Sequence, residues 1–376
     1  MKREIHVMMV TTSYPRDHND WKSIFISQLL HALSSRDDLV MNYWGPIGVL
    51  PEKAKYLCLE SEKDWLAWLM EKGGIIHLIR QKGILAGTAP IKLLYFLQKA
   101  YKRQKKIDLL HINWLQNVIP LNKTQQPIVI SVLGSDYGLL KIPGMTKLLR
   151  RKMKDRPCVL APNANWMEED LQRKFGDVSH IMTVPLGLSN TWYDIERSYP
   201  MVSPYKWLVV SRLTANKIGT LFEWGKDIFS PKDRHELHLF GPMQEKLSLP
   251  EWVHYHGPTD PDTLCSEWFP QAAGLVTLSR HDEGRPQVML EAMASGLPVI
   301  ASDLPAHRDF LTHKETGWLV VSAEQFAAGI KWLASDEKNQ EVAAKARKWV
   351  KKEIGTWDDC AERYSTIYEM LLKGLA

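Results

Sequence analysis

Cysteine is scarce in this chain of 376 residues: Cys58, Cys158, Cys265 and Cys360 stand far apart and include no CxxC pair. Such spacing makes neither a disulfide framework nor a zinc site, and it fits a reducing cytoplasm. Long apolar runs are missing as well. No stretch approaches the roughly 18 apolar residues that a membrane-spanning helix requires. Met1–His6 passes directly into an alternating strand pattern without the apolar core of a signal peptide. The expectation is a protein that is neither exported by that route nor embedded in a bilayer. Glycine (22) and proline (21) are not in excess, which excludes collagen-like and low-complexity chains.

What is present reads as an ordinary globular protein, with 45% hydrophobic and 24% charged residues. The length suits two domains. Charge is uneven: residues 1–200 hold 28 Lys and Arg against 19 Asp and Glu, whereas residues 201–376 hold 20 against 24. A basic half of this kind meets an anionic surface. No nucleic-acid motif accompanies it, so no nucleic-acid partner is expected.

Short apolar runs alternate with helical periodicity along most of the chain. Glu4–Thr11, Leu39–Trp44, Asp108–Ile112, Pro127–Leu133, Cys158–Pro162 and Ile181–Pro185 read as strands. After an aperiodic, proline-containing stretch, alternation restarts with Lys206–Ser211, Glu236–Phe240, Trp252–His256, Ala273–Leu278, Pro298–Ser302 and Trp318–Val321. From Ala323 the pattern is helical, broken near Gly355. This is an α/β chain with two open parallel sheets, and ligands of such sheets sit outside the carboxyl ends of the strands. The cleft between the domains is the expected site.

The most informative segment is EGRPQVMLEAMASGLPVIASD, residues 283–303. Pro286 suits a first helical turn and Gly296 a stop. The helix between them is apolar on every side, yet Glu291 lies within it; a buried carboxylate needs a hydrogen-bonding partner, and a pair of ligand hydroxyls would serve. Glu283 stands in the preceding loop. Gly284 lets backbone approach a ligand, and the helix start at Arg285–Gln287 offers amides to an anion. Glu283 and Glu291, with seven residues between them, resemble the signature of the retaining glycosyltransferases of family 4, also called group 1.

That resemblance implies a GT-B fold of two facing Rossmann-like domains, with Glu283 on donor-sugar hydroxyls and Glu291 on the ribose. Gly284, Arg285, Pro286 and Gln287 would complete the donor site. Ser211–Gly219 (SRLTANKIG) resembles the family's Gly-Arg-Leu-x-x-x-Lys-Gly, so Arg212 and Lys217 would clamp the diphosphate. Ser211 replaces Gly, and Ile218 precedes Gly219. Gly241 and Gly257 resemble the next two strand ends, where backbone lines the base. Boundaries follow: residues 1–190 as an acceptor-side domain, 191–205 as a linker, 206–355 as the nucleotide-sugar domain, and 356–376 as a helix packing back toward the amino-terminal domain.

The amino-terminal half departs more from the family. Its first loop, Asn19-Asp20-Trp21-Lys22-Ser23, has no Gly, and Leu133-Gly134-Ser135-Asp136 stands where many members carry His-Gly. Asp136 and His111 remain as acceptor-side groups, His111 being either a ligand contact or a structural histidine. Two basic stretches, residues 95–106 and 147–156, read either as an anionic-membrane docking face or as solvated helix faces. The expected reaction is metal-independent, with no cofactor beyond the nucleotide-diphosphate sugar, and its acceptor is a glycan or lipid-linked precursor. Asp260-Pro261-Asp262 has metal-motif spacing but sits at a helix start, where acids cap. The rivals are a nucleotide-sugar epimerase or hydrolase of the same fold, and an inactive binding module. A cytoplasmic protein, peripheral on the inner face of the membrane, is expected.

Overall fold

The computed structural model describes residues 3–17, 20, 22–75, 78, 88–104, 106–134, 136–229, 234–280 and 283–375. Asn19, Trp21, Lys105 and Ser135, noted above, lie outside the described residues. The chain divides into two units, Met1–Leu186 with Trp357–Ala376, and Gly187–Thr356.

In the first unit β1 (Ile5–Val10), β2 (Leu39–Trp44), β3 (Lys55–Tyr56), β4 (Leu109–Asn113), β5 (Ile128–Val132), β6 (Cys158–Pro162) and β7 (His180–Ile181) form one parallel sheet in the order β3-β2-β1-β4-β5-β6-β7. Val7, Met8, Met9 and Val10 are all fully buried, because a parallel sheet is covered on both faces. One face carries α1 (Ile24–Ser34) and the chain's last helix. The other carries α2 (Glu60–Glu71), α3 (Thr88–Arg103), α4 (Met145–Met153) and α5 (Glu168–Phe175).

The second unit repeats the plan. β8 (Tyr205–Val210), β9 (His235–Phe240), β10 (Val253–Gly257), β11 (Gly274–Thr277), β12 (Val299–Ser302) and β13 (Trp318–Val320) run parallel in the order β10-β9-β8-β11-β12-β13, flanked by α6 (Gln287–Ala294), α7 (Ala323–Leu333) and α8 (Asp336–Glu353). Strand order reverses between β8 and β11, as it does between β1 and β4 in the first sheet. Such switch points open a crevice at the carboxyl ends of the strands.

Residues 191–205 are not a free linker. Trp192, Ile195 and Met201 are buried in the second unit, and Arg347 donates to the carbonyl of Ile195 at 3.1 Å. The stretch lacks periodicity because it packs as one short helical turn, Asn190–Tyr193, followed by irregular chain, against α6 and α8, so the second unit begins at Gly187. The expected strand Ile181–Pro185 shortens to His180–Ile181. The final helix, α9 (Trp357–Leu372), belongs to the first unit, where it packs on α1. Tyr364 and Tyr368 are fully buried there, and Ser365 donates to Asp38 at 3.0 Å.

Candidate functional site

The candidate site lies at the switch point of the second sheet. β8 ends at Val210, and Thr214 then caps a short helical turn, Ala215–Ile218, by accepting from the Lys217 amide. The turn is pinned against the loop after β11: Arg280 N–H donates to the Asn216 carbonyl at 2.8 Å. At Gly219 a Cβ would stand 1.8 Å from the Leu278 carbonyl oxygen, at a φ of 58°. Only glycine allows that approach. Lys217 is thereby brought across the crevice, where its ammonium pairs with Glu283, both side chains being mostly buried. Arg212 lies on the exposed side of the same loop.

α6 starts behind Glu283. Pro286 is its N-cap and so precedes the first turn rather than occupying it. The opening amides of the helix have no carbonyl four residues back to bond, which makes them donors for an anion. Two side chains expected to contact the donor are committed elsewhere. Arg285 is buried in an ion pair with Asp309, its Nε 3.0 Å from the carboxylate, because a guanidinium enclosed beside the sheet requires a counter-charge. Gln287 donates to the Gly187 carbonyl at 2.6 Å. What Arg285 and Gln287 present to the crevice is therefore backbone, in continuity with Gly284 and Pro286.

Glu291 lies one helical turn into α6. Its carboxylate accepts no hydrogen bond among the described residues, and burial pushes its pKa up from 4.5 to about 7. Met289, Leu290, Ala292 and Met293 around it are fully buried. Cys265 is near enough for its thiol to be raised to about 11, by burial first and by this carboxylate second. A partnerless acid in an apolar helix is a site waiting for hydroxyl donors.

At the ends of β9 and β10, Gly241 has a φ of 125° and its Cβ would stand 1.9 Å from the Ser211 carbonyl oxygen. Its amide donates to the Gly257 carbonyl at 2.8 Å and its carbonyl accepts from Tyr255 at 3.0 Å. Gly241 is thus needed for close strand packing, while Gly257 faces open space at a φ of 77°. Sequence reasoning missed the aromatic group beside them. His256 stacks on Phe240 at 4.7 Å, and Trp268 closes on both. His256 is exposed and so offers a flat face at the strand ends.

His307 was also missed. It follows β12 and is fully buried, with Nδ1–H donating to the Ser302 carbonyl at 2.6 Å; among the described residues Nε2 has no partner, and the charges of Glu283 and Lys217 both act on the ring. Its only sequence signal is its place just past a strand end. Asp260 accepts from the Thr263 amide at 2.8 Å and is a helix cap. Among the described residues no group of three or more His, Cys, Asp or Glu is placed to hold a metal ion.

The two acceptor-side residues are structural. His111 is enclosed between Tyr368, 2.6 Å from Nδ1, and Ser131, 2.7 Å from Nε2. Burial lowers its pKa to about 3, so it is a neutral link holding α9 to the sheet. Asp136 accepts from the amides of Leu115 and Leu133, each at 2.9 Å, and clamps the loops after β4 and β5; burial still raises it to about 6.

The basic stretches divide. Arg103 forks onto buried Glu62 at 2.7 and 2.8 Å, Arg150 onto Asp177, Lys152 bonds the Leu121 carbonyl at 2.9 Å, and Arg156 bonds the Asn122 carbonyl. These tie helices to neighbouring segments. Lys99, Lys102, Lys106, Lys147, Arg151 and Lys154 are exposed. No helix among the described residues is long and apolar enough to cross a membrane.

The two parallel, Rossmann-like sheets give the chain a GT-B type fold. Residues 236–349 match the family model of the glycosyl transferases group 1, so this stretch of the second unit is similar to that family. Over 52% of its length the chain is 25% identical to the putative teichuronic acid biosynthesis glycosyltransferase TuaC of Bacillus subtilis. That match spans 53% of TuaC, and another, to the spore coat protein SA of the same organism, spans 34% of that protein; the chain thus matches about a third to a half of these curated relatives. Sucrose-phosphate synthase of Thermosynechococcus elongatus shares the fold with a TM-score of 0.74 at 17% identity, covering 99% of this chain and 100% of that one. HepE of Anabaena, in complex with UDP and glucose, shares it with a TM-score of 0.63 at 12% identity, covering 97% and 100%.

Proposed function

We propose that the protein is a retaining glycosyltransferase that moves a sugar from a nucleotide-diphosphate sugar to an acceptor hydroxyl. The observation that carries this reading is the Lys217–Glu283 pair. It sets a cation for phosphate and a carboxylate for sugar hydroxyls side by side at a switch point, where the two ends of one glycosyl phosphate would lie. Arg212 and the opening amides of α6 add charge for the diphosphate. Glu291 takes the ribose hydroxyls, and His256 with Gly257 lines the base. HepE, bound to UDP and glucose, supports a nucleotide and sugar ligand for this fold.

In the reaction the bond from the anomeric carbon to the β-phosphate oxygen breaks, and a bond to the acceptor oxygen forms on the same face. The acceptor's proton passes to the departing phosphate oxygen. Arg212, Lys217 and the α6 amides stabilise the charge that develops there, so turnover survives excess EDTA. The likeness to TuaC, a putative teichuronic acid biosynthesis glycosyltransferase, supports a cell-surface polysaccharide precursor, free or lipid-linked, as acceptor. Such an acceptor places the protein in the cytoplasm against the inner membrane surface.

A thermal-shift panel of nucleotide sugars identifies the donor, because a ligand of the folded state alone raises the melting point. Donor turnover is then followed with and without cell lipid extract. Transfer requires the extract. Turnover without acceptor would mean an epimerase or hydrolase, and binding with no turnover under either condition would mean a binding module.

A further inference from the structure

α2 and α3 lie together on the outer face of the first unit, and four aromatic rings run across them. Trp68 meets Trp65 at 6.2 Å, Trp65 meets Phe96 at 5.5 Å, and Phe96 meets Tyr95 at 6.0 Å. The middle of the row is packed inside; its ends are not. Trp68 is 39% exposed, Tyr95 50%, and Ile91, one turn before Tyr95 on α3, 70%. An apolar patch at the end of an aromatic row is more than a scatter of single exposed residues, and it marks an interaction surface.

Its charges say what it meets. Lys92 lies 5.5 Å over both Trp65 and Phe96, and Lys99 lies 4.6 Å over Tyr95. Lys102 is exposed farther along, and Thr88–Arg103 contains no acid. Exposed Asp64 and Glu71 flank Trp68 on α2, so the attraction belongs to α3. Ammonium groups held over aromatic rings at an exposed face are suited to headgroup depth, where rings rest at the acyl boundary and cations meet lipid phosphate. We infer that α3, with Trp68 of α2, docks the protein on an anionic bilayer surface, inserting Ile91, Tyr95 and Trp68 and binding lipid phosphate through Lys92, Lys99 and Lys102. Arg103, Arg150, Lys152 and Arg156, engaged within the unit, take no part.

The test uses the full chain and sedimentation with vesicles of phosphatidylcholine, with and without phosphatidylglycerol, in low and physiological salt. No nucleotide sugar is present, so failure here leaves the donor reading standing, and failure of the donor reading leaves this one. Binding is expected only with phosphatidylglycerol, and it weakens as salt screens the lysines. Changing Lys92, Lys99 and Lys102 together to Ser should weaken it about a hundredfold, at about fivefold per lysine. Changing Ile91, Tyr95 and Trp68 to Ser should remove the part that persists in salt, with thermal melting confirming that each variant is folded. Equal binding to neutral vesicles, no binding, or folded variants that bind like the parent would overturn the inference. So would a wild-type dimer, in sedimentation equilibrium, that the Ile91→Ser and Tyr95→Ser changes convert to monomer, because the face would then pair two copies.

Discussion

Raising the pH from about 5 to about 8 should loosen the second unit through one carboxyl group, Glu291. Folded, the group binds its proton more tightly than unfolded, because burial lifts its pKa from 4.5 to about 7. Between those values the folded chain holds more protons than the unfolded one. The unfolding free energy therefore falls as pH rises through this window and levels off above it. At about 1.4 kcal/mol per pH unit, the interval corresponds to a ceiling of about 3 kcal/mol. The side chain keeps a partial opening to solvent, which makes the realised loss smaller. Glu291→Gln cannot ionise, so it should match the parent in urea unfolding near the acid end and exceed it near pH 8. Parallel pH profiles for parent and variant would refute the assignment. Ligand binding supplies a second reading. Ribose hydroxyls donating to this carboxylate favour its ionised form, so nucleotide binding should release a proton and tighten with rising pH up to about 7. In Glu291→Gln that dependence should vanish.

Glu283→Gln should reduce turnover far more than nucleotide affinity, measured as kcat against Kd, because its proposed contacts are to the sugar. Lys217→Met should weaken the nucleoside diphosphate at least tenfold in calorimetry and leave the nucleoside unchanged; equal losses would indicate misfolding. Gly219→Ala should disturb the same turn, since its Cβ meets the Leu278 carbonyl, and should weaken diphosphate binding as well. Arg285→Met removes the guanidinium that faces buried Asp309 and should destabilise the protein by about 3–5 kcal/mol in urea unfolding. His111→Phe should cost about 1–3 kcal/mol through the stranded Tyr368 hydroxyl, Ser131 keeping its bond to Tyr364, with nucleotide affinity intact. In the parent, His111 must stay neutral to remain folded, so stability should fall as pH drops below about 6.5, a slope that the Phe variant should lack.

In the second unit the geometry of the candidate site was legible because most of its groups stand on one continuous stretch. A strand, a loop acid, a proline-started helix and a second acid recur at spacings that the chain itself displays, and the fold only had to bring Lys217 across the crevice. Its errors are of one kind: residue type shows which groups a side chain can bond, and not which it does bond. Arg285 and Gln287 have ligand chemistry, but Asp309 and the Gly187 carbonyl reach them first. His307 is unremarkable in the sequence because nothing in its neighbours reveals that one ring nitrogen is fixed by Ser302 while the other has no partner among the described residues.

In the acceptor half the same limit acts through distance along the chain. His111 and Ser131 are bonded by Tyr368 and Tyr364, more than two hundred residues later, and only the return of α9 to the first sheet makes the histidine structural. Arg103 is likewise claimed by Glu62, 41 residues earlier, which removes it from the basic face that its own neighbours proclaim. Residues 191–205 look like a linker for want of periodicity, yet Trp192 packs from a single helical turn and Ile195 from the irregular chain after it, both too short for a period to reveal. If reach decides legibility in this way, the lysines of α3 are the informative survivors. Lys92 and Lys99 rest over rings of α3 and its immediate neighbour α2, with no acid of their own helix beside them. Removing their charge should therefore change what the surface attracts and leave what the fold requires. The paired substitutions Arg103→Met and Lys99→Met make the contrast measurable: the first should lower the melting temperature by stranding Glu62, and the second should leave it in place. Equal losses of stability would make Lys99 another internal tie and take it off the docking face.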